Sequence, residues 1–119
     1  MTLKECYDAM GANYEEVLGR LRSEKLIQKF ALKFLDDPSY DLLVTSMEAE
    51  DYAEAFRGAH TIKGVCSNLG FTKLLASSSA LTEALRNGYT PEAAGLLEKT
   101  KEDYAATIEA LRAFQNTNS

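Results

Sequence analysis

The chain has 119 residues, of which 45% are hydrophobic and 26% charged, a composition typical of one globular domain with a single core, and we treat residues 1–119 as one domain. Its formal net charge of −5 argues against a nucleic-acid partner, which requires a basic patch, and against binding to an anionic membrane surface. No apolar run approaches the roughly 18 residues of a membrane span and no signal peptide is visible, so we expect a cytoplasmic protein.

The first part of the chain predicts several short helices. Residues 2–20 indicate one or two of them, with a break near Gly11. Ser23 is a suitable N-cap for the next helix, which ends at Asp36-Asp37-Pro38. Apolar residues recur along that helix at helical spacing and predict a buried stripe: Leu26, Ile27, Phe30, Ala31, Phe34 and Leu35. The shorter helix that follows carries Tyr40, Leu43, Val44 and Met47 on one side.

Three longer helices follow. Asp51 and Glu54 form a possible capping box for a helix that runs to Leu69 and stops at Gly70. A second helix spans residues 72–87, and Thr90-Pro91-Glu92 is a start signal for the last one. Their apolar stripes are Leu74, Leu75, Ser78, Leu81 and Leu85, then Leu96, Leu97, Thr100, Tyr104, Ile108 and Leu111. Short connections between amphipathic helices predict an all-α, up-and-down four-helix bundle with one or more additional short N-terminal helices.

The chain has one histidine, His60, and its helix turns that side chain away from the core. At about 100° per residue, one face of the helix is continuously apolar. That face is formed by Ala55, Ala59, Ile62, Cys66 and Leu69. His60 points almost directly away from it, so we expect the imidazole in water or at a partner surface.

The residues around His60 suggest phosphoryl chemistry. A glycine in a helix interior, such as Gly64, lowers helix stability by roughly 0.5–1 kcal/mol relative to alanine, yet it leaves room beside the imidazole for another molecule. Lys63 can place positive charge next to an anion held on that ring, and a neutral imidazole is a competent nucleophile near pH 7. Phe56, Arg57 and Ser67 lie on or beside the same side of the helix, where we expect them to contact a partner.

Other readings of these residues remain open. A lone exposed histidine is often incidental, and the chain would then be a non-catalytic helical interaction module. A Cys/His dyad is excluded within this helix because Cys66 lies on the opposite face, and Ser67 is about 10 Å along the axis from His60. Cys6 and Cys66 have no metal or redox spacing, so we expect two reduced thiols that pack in the core. Gly58, on the core side, predicts close helix packing.

The segment Ala59-His60-Thr61-Ile62-Lys63-Gly64, followed by Asn68-Leu69-Gly70, resembles the histidine-containing phosphotransfer (HPt) domain family. The resemblance implies that His60 is the phosphorylated residue, that Lys63 contacts the phosphoryl group and that Gly64 gives access to it. It leaves the role of Asn68 open. Val65 and Cys66 stand where members often carry small residues, and we expect changed packing there rather than lost function.

The same resemblance implies a phosphocarrier that relays phosphate to and from the aspartate of a receiver domain in a response regulator or hybrid kinase. Such a domain is not an enzyme with its own ATP site, and the chain indeed lacks a glycine-rich phosphate loop. We expect no cofactor or metal of its own, since the receiver's metal would assist transfer, and we expect a monomer. An alternative is a phosphoacceptor domain that belongs to a chemotaxis-type histidine kinase.

Overall fold

The computed structural model describes residues 1–117, and within them the chain is helical without any strand. The short helices are α1 (Leu3–Ala9), α2 (Tyr14–Leu21) and α3 (Glu24–Lys33), which a 3₁₀ turn (Phe34–Asp36) extends. The longer part comprises α4 (Ser39–Glu48), α5 (Tyr52–Leu69), α6 (Thr72–Leu85) and α7 (Glu92–Thr117). Helices α4–α7 pack in sequence as an up-and-down four-helix bundle, as predicted.

Local capping explains where the helices begin. Side chains of Asn13 and Ser23 accept hydrogen bonds from backbone N–H groups in the first turns of α2 and α3, and Asp51 does the same for α5. The capping box predicted at α5 is only half formed, because the Glu54 carboxylate is held by Arg57. The Thr90 hydroxyl, predicted as a cap, donates to the Ala84 carbonyl and so ties the start of α7 to the end of α6.

Helices α1 and α2 close one end of the bundle. The Tyr7 hydroxyl donates to the Leu69 carbonyl at 2.7 Å, and the Asn13 N–H donates to the Gly70 carbonyl at 2.9 Å. Gly70 has φ of +71°, a conformation that glycine adopts without strain, so it can end α5 and turn the chain into α6. Edge-to-face and tilted ring contacts join this end to the core, among Tyr7, Tyr14, Phe34, Phe71 and Tyr104.

The apolar stripe predicted for α3 is only partly buried. Ile27, Ala31 and Phe34 are in the core, whereas Leu26 and Phe30 remain 42% and 39% exposed. The reason is that α3 lies outside the four-helix bundle and packs only one narrow face against it. The three buried residues of that face have the spacing i, i+4, i+7. Leu26 and Phe30 fall beside that face. They form an apolar surface at the edge of the domain.

The two cysteines are free and buried, as predicted. The Cys6 thiol lies 3.4 Å from the Ala110 carbonyl, and burial raises the pKa of Cys6 to about 11. Burial also raises the pKa of Cys66. Both thiols are therefore protonated and unreactive near neutral pH. None of the helices within residues 1–117 is both long and apolar enough to cross a membrane.

Helices α4 and α5 approach each other closely at Gly58. A Cβ atom there would lie 2.9 Å from the Leu43 backbone nitrogen and 3.0 Å from the Ser39 carbonyl oxygen. We expect Gly58→Ala to lower the free energy of unfolding by about 1–3 kcal/mol, because neither backbone atom can move aside cheaply. Urea denaturation measures the change.

Gly64→Ala is the matched control for Gly58→Ala, since it is the same substitution in the same helix. Apart from its chain neighbours and the adjacent backbone of α5 itself, no atom lies within 4 Å of a Cβ at Gly64. Alanine there should raise the free energy of unfolding by about 0.5–1 kcal/mol, which is the helix-propensity gain alone. A Gly58→Ala variant as stable as the wild type would contradict the close approach.

Candidate functional site

His60 is exposed at the middle of α5, on the side opposite the core. The apolar face of the same helix is fully buried at Ala55, Ala59, Ile62 and Cys66. Helical periodicity therefore predicted the orientation of the imidazole correctly. Thr61 is also exposed, but its hydroxyl donates to the Arg57 carbonyl one turn back in the helix.

The His60 ring stacks on Phe56. Their ring centroids are 5.8 Å apart and the planes lie within 10° of each other. The Arg86 guanidinium, from the end of α6, sits 5.3 Å from the centroid of the Phe56 ring, an arrangement typical of a cation–π contact. Phe56 is half-buried because it also packs against the core, so only part of its ring is available to a partner.

A carboxylate holds Arg86 in this position. The Arg86 Nη2 and Nε atoms donate to the two carboxylate oxygens of Glu83 at 2.7 and 3.1 Å. The Arg86 hydrogen bond is the main cause that lowers the pKa of Glu83, and the positive charge of Lys63 lowers it further. The Glu83–Arg86 pair from the end of α6 therefore contacts the ring on which His60 is stacked.

Glu83 and Arg86 were not recognised in the sequence. Their spacing of three residues predicts only an ion pair on an exposed helix surface. Nothing in that spacing relates α6 to His60. The two residues reach the site because α6 returns antiparallel to α5, so that its last turn lies beside the first half of α5.

Gly64 lies one turn beyond His60 and leaves open space there. It is exposed, and beyond its chain neighbours and the adjacent backbone of its own helix no atom lies within 4 Å of the position that a Cβ would occupy. No side chain of another element fills the space immediately around Gly64.

Three further residues flank this surface. Arg57 is exposed and pairs with Glu54 at 2.6 Å. Ser67 and Asn68 are exposed near the end of α5, and their carbonyls each accept a hydrogen bond from Arg20 Nη2 at 2.8 Å. Arg20 thus satisfies carbonyls that the helix end leaves without partners. Asn68 also lines an apolar groove between α3 and α5, with Phe30, Val65 and Leu69.

The surface around His60, Phe56, Lys63 and Gly64 unites residues that the sequence placed on one side of α5. Comparison with known families gives one match: the Hpt domain family matches residues 15–114, which include most of α2 and α7 and all of α3–α6. No curated protein and no solved structure matches the chain. Because the family match extends over most of the chain and includes the whole of the helix that carries His60, the chain belongs to the Hpt domain family.

Proposed function

We propose that this chain is a phosphocarrier that accepts a phosphoryl group on His60 and exchanges it with an aspartate of a receiver domain. Hpt domains have a phosphotransfer role in two-component signalling and are phosphocarriers rather than catalysts. The observation that carries the proposal is the exposed imidazole on the outer side of α5, with a lysine and an open glycine position on the next turn. Phosphoryl transfer depends mainly on positioning and charge, which such a surface can supply.

The chemistry requires little from the chain itself. The unprotonated nitrogen of the neutral ring attacks phosphorus, and an N–P bond forms as the O–P bond to the receiver's aspartate breaks. The aspartate carboxylate keeps the electron pair of the broken bond. The other ring nitrogen retains its proton, so the phosphorylated ring is cationic until that proton passes to water. Lys63 offsets negative charge on the phosphoryl oxygens during the transfer.

The receiver docks over the outer side of α5. An in-line arrangement of nitrogen, phosphorus and oxygen requires that the two proteins meet closely around His60. Gly64 then lies at the centre of the contact, Phe56 supports the imidazole from one side, and Arg57 and Ser67 lie at the edges. An acidic chain with a net charge of −5 relies on Lys63 and Arg86 to keep this region favourable for an anion.

Residues 1–119 act as one domain in this proposal. Helix α1 precedes the family match, yet Leu3, Cys6 and Tyr7 are buried in the same core as the rest. The hydrogen bond from Tyr7 to Leu69 also links α1 to the end of α5. Deleting α1 would therefore disturb the helix that carries the acceptor.

A transfer assay tests the proposal. A receiver domain labelled with radioactive acetyl phosphate is mixed with the chain, and label should leave the receiver and appear on the chain. A phosphohistidine loses its label in acid and keeps it in alkali, whereas an aspartyl phosphate is lost in alkali. Label that stays on every receiver tested, or acid-stable label on the chain, would contradict a phosphocarrier function. Label obtained only from an ATP-bound kinase domain would favour the kinase alternative.

A further inference from the structure

A carboxylate holds the arginine that contacts the stacking partner of His60. Glu83 binds Arg86 through both carboxylate oxygens, and the positive charge of Lys63 also acts on it. Arg86 contacts the Phe56 ring on which His60 is stacked. A site that only had to bind a phosphoryl group would gain from the two cations and lose from the acid. The presence of Glu83 at this position therefore requires a reason.

The Glu83–Arg86 pair differs from an ordinary ion pair on an exposed helix surface. Lys101 and Glu98 on α7 form a pair with the same spacing of three residues, at 3.5 Å. The Glu83–Arg86 pair differs because its guanidinium reaches across to the Phe56 ring on α5. It is also held by two hydrogen bonds, so the carboxylate occupies the guanidinium while the imidazole carries no phosphoryl group.

We propose that Glu83 competes with the phosphoryl group on His60 for Arg86, and thereby makes the phosphorylated state of this domain less stable. The inference rests on the proposed phosphocarrier function. A phosphoryl group brings a charge of about −1.5 to −2 and three acceptor oxygens. The Arg86 side chain is 48% exposed and long, so it can turn from the carboxylate towards those oxygens. It cannot use its donor fork fully on both at once.

The consequence concerns the balance between the two proteins. A carrier has to give up its phosphoryl group as readily as it accepts it, so tight binding by two free cations would trap it. Glu83 keeps Arg86 occupied, so fewer of its N–H donors are available to the phosphoryl oxygens. The phosphohistidine is thus kept close in free energy to the receiver's aspartyl phosphate. Reversible exchange follows from that balance.

The experiment measures the equilibrium partition of phosphoryl groups between His60 and the aspartate of a receiver that labels the wild-type chain. Glu83→Gln keeps a hydrogen-bond acceptor for Arg86 and removes the negative charge. We expect it to raise the ratio of phosphohistidine to aspartyl phosphate about three- to fivefold, which is the size typical of one exposed charge interaction. The ratio is measured from both directions so that it reports an equilibrium.

Glu98→Gln is the matched control, since it makes the same change in net charge beside Lys101 on α7, and it should leave the ratio unchanged. Arg86→Gln should lower the ratio more in the Glu83→Gln background than in the wild type, because a neutral glutamine holds the guanidinium less tightly and leaves it more available to phosphate. A merely structural role for Glu83 predicts no such coupling.

The outcomes separate the two proposals. If the wild type takes label on His60 and Glu83→Gln gives the wild-type ratio or a lower one, the competition is wrong and the phosphocarrier function stands. If no receiver labels the wild type, the proposed phosphocarrier function is wrong, and the proposed role of Glu83 is wrong as well. The three residues changed are exposed, and thermal melts confirm that each variant is folded.

Discussion

Replacing His60 with glutamine is expected to remove acid-labile label from the chain completely, while the melting temperature stays within about 3 °C of the wild-type value. The side chain is exposed and stacks on Phe56 outside the core, so its loss leaves the core intact. Glutamine is similar in length and polarity but has no nucleophilic nitrogen. The variant therefore separates the reaction from the fold. Transfer from a labelled receiver and a thermal melt measure the two effects.

Ser67→Ala is the control for His60→Gln. Ser67 is an exposed hydroxyl two turns along the same helix, and a label on it would be stable in acid. We expect this variant still to take up acid-labile label, since Ser67 lies only at the edge of the proposed docking surface. Full labelling of His60→Gln would assign the acceptor to another residue. A fall of many degrees in its melting temperature would instead mean that the imidazole supports the core.

The orientation of the acceptor was predictable because α5 is one continuous amphipathic helix. A rotation of about 100° per residue separates His60 from Ala59 and Ile62, and no tertiary information is needed to see it. The same rotation distinguishes Gly58, which packs against α4, from Gly64, which faces open space. Short connections between amphipathic helices likewise indicated the bundle. Residues 49–51 and 70–71 form loops so short that the helices they join must pack antiparallel.

Contacts between helices were not predictable in this way. The stack of Arg86 on Phe56 depends on which turn of α6 lies beside α5, and periodicity contains no information about that register. The exposure of Leu26 and Phe30 depends on how few neighbours α3 has, although both fit the apolar pattern. Arg20 supports the end of α5 across a gap of nearly fifty residues in the chain. A single sequence shows none of these pairings.

Gly64→Gln should slow transfer about 10- to 100-fold, a loss typical of a small misplacement of reacting groups. In a helix the Cα–Cβ bond tilts towards the N-terminus, so a side chain at position 64 lies over the turn that carries His60. A glutamine there occupies the open space through which the receiver's phosphate must approach in line. Because the backbone at Gly64 is helical, glutamine adopts it without strain, and the free energy of unfolding should rise slightly.

Gly95→Gln is the matched control, because Gly95 is also exposed in a helix and has no atom within 4 Å of a Cβ. It should gain the same helix propensity and transfer at the wild-type rate. Gly64→Ala, with only a methyl group, should transfer at a rate between those of the wild type and Gly64→Gln. Single-turnover transfer from a labelled receiver, measured over a range of receiver concentrations, separates weaker docking from a slower step within the complex. A wild-type rate for Gly64→Gln would mean that the receiver approaches His60 from another direction, and the space beside the imidazole would then have no part in transfer.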